Sequence, residues 1–129
     1  MNRILIAVDD SVPSLAAARY AFSLAVGWRS TVRLLTAIAD ETARAAGLKL
    51  LDHVAREAHA AGLDEAHVET TVVAGEAFAC ILHEAQAWKA ELIVMAVSHR
   101  DALRSPYVGS QTEHVLEFAE CPVLIVPHD

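Results

Sequence analysis

Residues Glu91–Asp129 read ELIVMAVSHRDALRSPYVGSQTEHVLEFAECPVLIVPHD. An apolar run, Leu92–Val97, stops at a polar stretch; that stretch closes on Gly109-Ser110, a helical pattern follows, and a second apolar run spans Val123–Val126. Short apolar runs bounded by turn residues read as buried strands. The unit is therefore strand, loop, helix, strand, and strands joined through a helix lie parallel in one sheet. In open sheets of that kind, ligands bind outside the carboxyl ends of the strands. The loop after Val97 and the helix start at Ser110 are where a small ligand is expected.

Upstream, the same alternation repeats. Arg3–Val8 (RILIAV) reads as a first strand that leaves the sheet at Asp9-Asp10-Ser11. Pro13 suits a first helical turn, Asp10 or Ser11 can cap it, and Leu15, Ala18, Phe22 and Val26 recur at helical spacing before Gly27. A second strand, Thr31–Ile38, carries Arg33 close to its start. A second helix is predicted from Thr42 to about Ala61, with Leu48, Leu51, Val54, Ala55 and Ala58 inward. Gly47 is a candidate interruption near its start, and Gly62 a candidate C′ residue. His67–Ala74 alternates early on, which fits a half-exposed or an edge strand, and after Gly75-Glu76 a third helix turns Ala77, Ile81, Leu82, Ala85 and Trp88 inward. Five strands separated by four helices imply a parallel sheet with helices on both faces.

The chain has 129 residues, which fits a single domain over 1–129. No apolar stretch reaches the roughly 20 residues of a membrane helix, so no membrane partner is expected. The start, MNRILIAVDD, runs directly into a strand without signal-peptide features, and the expected location is cytoplasmic. A net charge of −7 argues against a nucleic-acid surface, which needs a basic face. Arg100 and Arg104 are the local exception in the ligand loop, with Asp101 between them. Cys80 and Cys121 have no CxxC partner and read as reduced, buried thiols.

Seven histidines are present, but no HExxH or paired Cys-His spacing, so no metal site is expected. Ser98, His99, Asp101 and Ser105 suggest a hydrolase, yet no G-x-S-x-G elbow accompanies them. The sequence reads as a non-enzyme, with weak ATPase activity the remaining alternative.

Three segments together resemble the universal stress protein family: ILIAVDDSVPS at the start, VVAGEAFACILHEAQAWKAELIVM in the third quarter, and VGSQTEHVLEFAECPVLIVP at the end. The resemblance implies an α/β fold with an open five-stranded parallel sheet in order 3-2-1-4-5 (adenine nucleotide alpha hydrolase-like), a stress-response role, a dimer in many members, and in one subfamily an ATP site. The ATP-binding members carry G-x2-G-x9-G-[ST] after the fourth strand. Here that register falls on Ala96, His99, Gly109 and Ser110, so the spacing survives while two of the glycines do not. Glycine there lets backbone N–H groups approach phosphate oxygens; a Cβ restricts the backbone and fills the space. Alanine is a mild loss and histidine a severe one.

Gly109 and Ser110 keep a helix-start anion geometry, although Ser110 with Glu113 is also an ordinary capping box. Arg100 and Arg104 could add charge to that site, the alternative being that they are solvated loop arginines. Asp9 matches the family's aspartate at the adenine end, with loop structure and capping as the alternative, and Asp10 stands where relatives often have glycine. The end of the second strand, Ala37 to Asp40, would supply a backbone contact to adenine. In the implied order Val123–Val126 lies at a sheet edge between Pro122 and Pro127, and unpaired edges invite pairing. The expectation is a homodimer through that strand, possible protein partners, and weak or no ATP binding, hence no cofactor. The alternative is an ATP- or AMP-binding stress sensor.

Overall fold

The computed structural model describes residues 1–98 and 110–128. In chain order the elements are β1 (Arg3–Ala7), α1 (Val12–Trp28), β2 (Thr31–Ile38), a 3-10 turn (Glu41–Ala43) leading into α2 (Arg44–Ala61), β3 (Val68–Ala74), α3 (Ala77–Trp88), β4 (Leu92–Ser98), α4 (Ser110–Phe118) and β5 (Val123–His128). All neighbouring strands pair in parallel, in the order β3-β2-β1-β4-β5. Successive residues of a strand face opposite sides. Ile4 and Ile6 accordingly join Phe22, Leu51 and Val54 in the core under α1 and α2, while Leu5 joins Ile81, Trp88 and Val115 under α3 and α4. The chain runs outward from β1 to β2 and β3, then returns to β1's other side as β4. That reversal opens a crevice at the carboxyl ends of β1 and β4.

α1 begins where Ser11 Oγ accepts the Ser14 N–H (3.2 Å), with Pro13 in the first turn. Its buried stripe is Ala17, Ala18, Ala21, Phe22 and Ala25. Four alanines let the helix lie close to the sheet, and Phe22 fills the remaining space. The helix does not stop at Val26 as the glycine suggested, and Val26 is not a core residue. It is 40% exposed, turned toward the end of α2 at Gly62. The chain reverses three residues later at Arg29 (φ 57°), where Arg29 and Ser30 N–H donate to Val26 O and Ala25 O (3.3 and 2.9 Å). This is a Schellman closure without glycine, and its left-handed residue is strained. Arg29→Gly is expected to stabilise the fold by about 0.5–1 kcal/mol, read as a higher midpoint in urea; a lower midpoint would show that the Arg29 side chain matters more than its φ.

Gly47 was a candidate break, yet it sits buried within a continuous α2. A Cβ there would lie 3.3 Å from methyl carbons of Thr36, Ile38 and Val72, so glycine permits close approach of helix to sheet. Leu48, predicted inward, is instead 54% exposed, because Gly47 occupies the contact line. Gly62 closes the helix at φ 117°, as its position after Ala61 suggested.

The two sheet edges differ. The Gly75 N–H donates to Ile38 O (2.9 Å), and with the pairing Ile38↔Ala74 this directs the Val72 carbonyl away from β2. Arg44 Nη1 donates to that carbonyl (3.3 Å) while its guanidinium also pairs with Glu41, so β3's edge is guarded by a charged side chain. At the other edge, Ile93 N–H donates to Pro122 O (3.0 Å) in register with Val123. The N–H groups of Leu124 and Val126 then face β4, and those of Val123 and Ile125 face outward. Residue 127 falls at an outward position, where a missing N–H costs the ladder nothing, so β5 continues through Pro127 to His128 rather than ending before it.

On the α3 side, Arg33 is held between Glu69 (2.5 Å) and Glu84, with its guanidinium carbon 4.6 Å from the Trp88 ring centroid. Arg3 adds a second cation near the same ring (5.8 Å) and donates to Trp88 O (2.7 Å). A charged residue inside a strand is accommodated because β2's central position brings β3 and α3 within reach of it.

Candidate functional site

The crevice at the switch between β1 and β4 has a volume of 590 Å³. Asp9 and Ala96, far apart in sequence, both line it, together with Ala37 at the carboxyl end of β2. Three helices present their amino ends to it: α1 through Pro13 and Ser14, α3 through Ala77, and α4 through Gln111 and Thr112. Each such end carries roughly half a positive charge from its unpaired N–H groups. No Lys or Arg is found among the described lining residues. Helix ends are thus the local exception that an anion needs in a chain of net charge −7. Ser110 is the first helical residue of α4, beside the Gln111 and Thr112 that line the crevice. His99, Arg100 and Gly109 lie outside the described residues.

Asp9 is built into the turn after β1. Its Oδ1 accepts the Ser11 N–H (2.8 Å), while its own N–H donates to Ser14 Oγ (2.8 Å). One carboxylate oxygen is therefore committed to an Asx turn that orients α1, so the loop-structure reading of Asp9 holds for that oxygen. At the end of β2, Asp40 Oδ1 accepts from the Thr42 hydroxyl and from the Thr42 N–H (2.9 Å). These bonds hold its carboxyl below the usual carboxylate range, so it is ionised at neutral pH.

Apart from Ser11, the rest of the lining is apolar: Ala7, Val8, Leu35, Ile81, Met95 and Val97. An apolar wall with a few convergent polar groups is the usual character of a small-molecule site. Gln111 was not singled out in the sequence. Glu76, the residue preceding α3, makes no side-chain cap, and the Phe78 N–H of α3's first turn donates instead to Gln111 Oε1 (2.8 Å). The available signal was indirect: the segment Gly75-Glu76-Ala77 has no Ser, Thr, Asp or Asn to cap a helix, so the acceptor had to come from elsewhere.

A second hollow, 540 Å³, lies at the opposite end of the sheet between the carboxyl ends of α3 and α4, lined by Leu82, Ile93, Phe118 and Cys121 among others. It faces helix ends of the opposite polarity. Burial pushes the Cys121 and Cys80 thiols up, so both are protonated and poorly nucleophilic at neutral pH. Neither is in a disulfide.

Residues 1–127 match the model of the Universal stress protein family. No curated protein matches the chain in sequence. Among solved structures, a universal stress protein determined in complex with cAMP is similar at TM-score 0.85, with 23% identity over 99% of this chain and 98% of that one. The universal stress protein from Archaeoglobus fulgidus in complex with dAMP is similar at TM-score 0.79, with 19% identity over 97% of each chain. A family protein from Arabidopsis thaliana with AMP bound is similar at TM-score 0.74, with 18% identity over 100% of this chain and 93% of that one.

Proposed function

The chain belongs to the universal stress protein family, and from that premise we propose that it is a cytoplasmic stress-response module whose crevice takes an adenosine nucleotide weakly, the monophosphate in preference to ATP. The observation that carries this reading is the meeting of Asp9, Ala37, Ala96 and three helix amino ends around one crevice at the sheet's switch point. An adenosine body suits the apolar wall, and a phosphate suits the helix ends. Ala96 and His99 replace cradle glycines, which weakens the hold on a long phosphate chain more than on a single phosphate. Relatives determined with cAMP, dAMP and AMP support the ligand class. In this reading the module works by binding, and nucleotide turnover above a buffer blank would overturn that part of it.

Isothermal titration tests this. AMP is expected to bind more tightly than ATP. ATP bound at about 1 μM would overturn the reading in favour of an ATP sensor. The double change Ala96→Gly with His99→Gly is expected to raise ATP affinity by roughly tenfold, because the backbone can then approach the phosphates. Unchanged affinity would show that the cradle is not what limits binding.

The homodimer through Val123–Val126 is part of the same proposal. Its support is the contrast between edges: β3 is guarded by Arg44, whereas β5 directs the Val123 and Ile125 N–H groups outward. Tyr20 and Trp28 on the flank of α1 away from α2, and Leu116 on α4, are 46%, 45% and 46% exposed, and helical spacing puts them beside that edge. Sedimentation of the unmodified protein as a dimer, weakened by Tyr20→Lys with Trp28→Lys, is the expected outcome; a monomer at about 50 μM would retire the interface, since obligate contacts are saturated well below that concentration.

A further inference from the structure

Gln111 connects two parts of the molecule that ligand binding would have to address together. Its Oε1 takes the N–H of Phe78, in the first turn of α3, at 2.8 Å. The amide orientation follows from chemistry, since only the oxygen can face an N–H donor. The same joint is held by the Phe78 ring, stacked on His114 of α4 at 4.5 Å, and by His114 Nδ1 against Ser110 O (2.5 Å). Gln111 also lines the crevice. With the oxygen committed to α3, the amide NH₂ carries two donors and has no partner among the described residues.

We propose that Gln111 sets the ligand specificity of the crevice, its Oε1 anchoring the start of α3 and its NH₂ donating to a phosphate oxygen of the bound nucleotide. The inference rests on the nucleotide reading above and adds to it a named donor. The side chain does two jobs that different substitutions separate. A carboxylate at this position still accepts the Phe78 N–H, and suits the positive end of α3, but it loses both donors and brings negative charge to the phosphate. A leucine loses anchor and donors alike and adds no charge.

Three proteins are compared by titration with AMP and ATP and by thermal unfolding: the unmodified chain, Gln111→Glu and Gln111→Leu. Gln111→Glu is expected to keep its Tm while weakening AMP about threefold and ATP about tenfold, because the repulsion grows with phosphate charge. Gln111→Leu is expected to lower Tm by a few degrees and to weaken AMP and ATP by similar factors. A residue whose side chain lies away from the phosphate would give neither the charge-dependent split in Gln111→Glu nor a loss of affinity in the uncharged Gln111→Leu. If the unmodified chain binds and Gln111→Glu binds equally well at unchanged Tm, the inference is overturned and the nucleotide reading stands. If the unmodified chain binds neither nucleotide, the nucleotide reading itself fails, and this inference with it.

Discussion

Phe22→Ala is expected to cost about 3–5 kcal/mol of stability. Phe22 is fully buried, and it is the one large side chain among the buried residues of α1, which are otherwise Ser14 and four alanines. Those alanines cannot expand into the vacated space, and Ile4, Ile6 and Leu34 are held in place by the sheet ladder. The cavity therefore stays open, which places the change at the expensive end of large-to-small substitutions. For a chain of this size the loss corresponds to a fall in Tm of roughly 10–20 °C. Chemical denaturation followed by far-UV circular dichroism measures it. A loss below about 1 kcal/mol would mean that α1 can shift to refill the site.

Gly47→Leu is expected to cost about 1–3 kcal/mol, and Gly47→Ala to be close to neutral. The alanine gains about 1 kcal/mol in helix propensity and meets three methyl carbons at 3.3 Å, two opposed effects of similar size. Leucine adds further carbons on the same line, and the neighbours are Thr36, Ile38 and Val72, all β-branched and stiff about χ1. α2 must then move off the sheet. A leucine variant as stable as the unmodified protein would show that α2 has room to slide over β2 and β3.

Much of the architecture was legible along the chain. Periodicity located the five strands and four α-helices of the described residues, and the alternation of His67–Ala74 fits the edge place that β3 takes. The errors were specific. Val26 and Leu48 have the right spacing and the wrong face, because a glycine or an alanine beside them forms the actual contact, and small contacts carry no hydrophobic signal. Gly27 and Gly47 look like punctuation along the chain, whereas one lies within α1 and the other is a packing position in α2. The apolar run ends at Val126 before Pro127, yet β5 passes through Pro127, because a proline terminates pairing only where its N–H would face a neighbour.

For the site, Asp9 and Ala96 were identified from a family register, and the fold brings them to one crevice. Gln111 could not be found that way. Its acceptor role depends on α3 and α4 starting side by side, a relation between residues 33 positions apart.

The loop and helix start within Glu91–Asp129 determined, as sequence, the parallel sheet and the place where a ligand would meet it. Those features follow from period, turn chemistry and the geometry of a crossover, all of them local. Three things were decided only when the chain folded. The crevice draws positive potential from three helix ends and not from arginines among its described residues; one sheet edge is guarded by Arg44, while among the described residues the other has no such guard; and α3 is capped by a residue of α4. Each is a long-range meeting of groups whose partners are set by strand order, and no local pattern encodes which distant group will satisfy a given N–H or carbonyl.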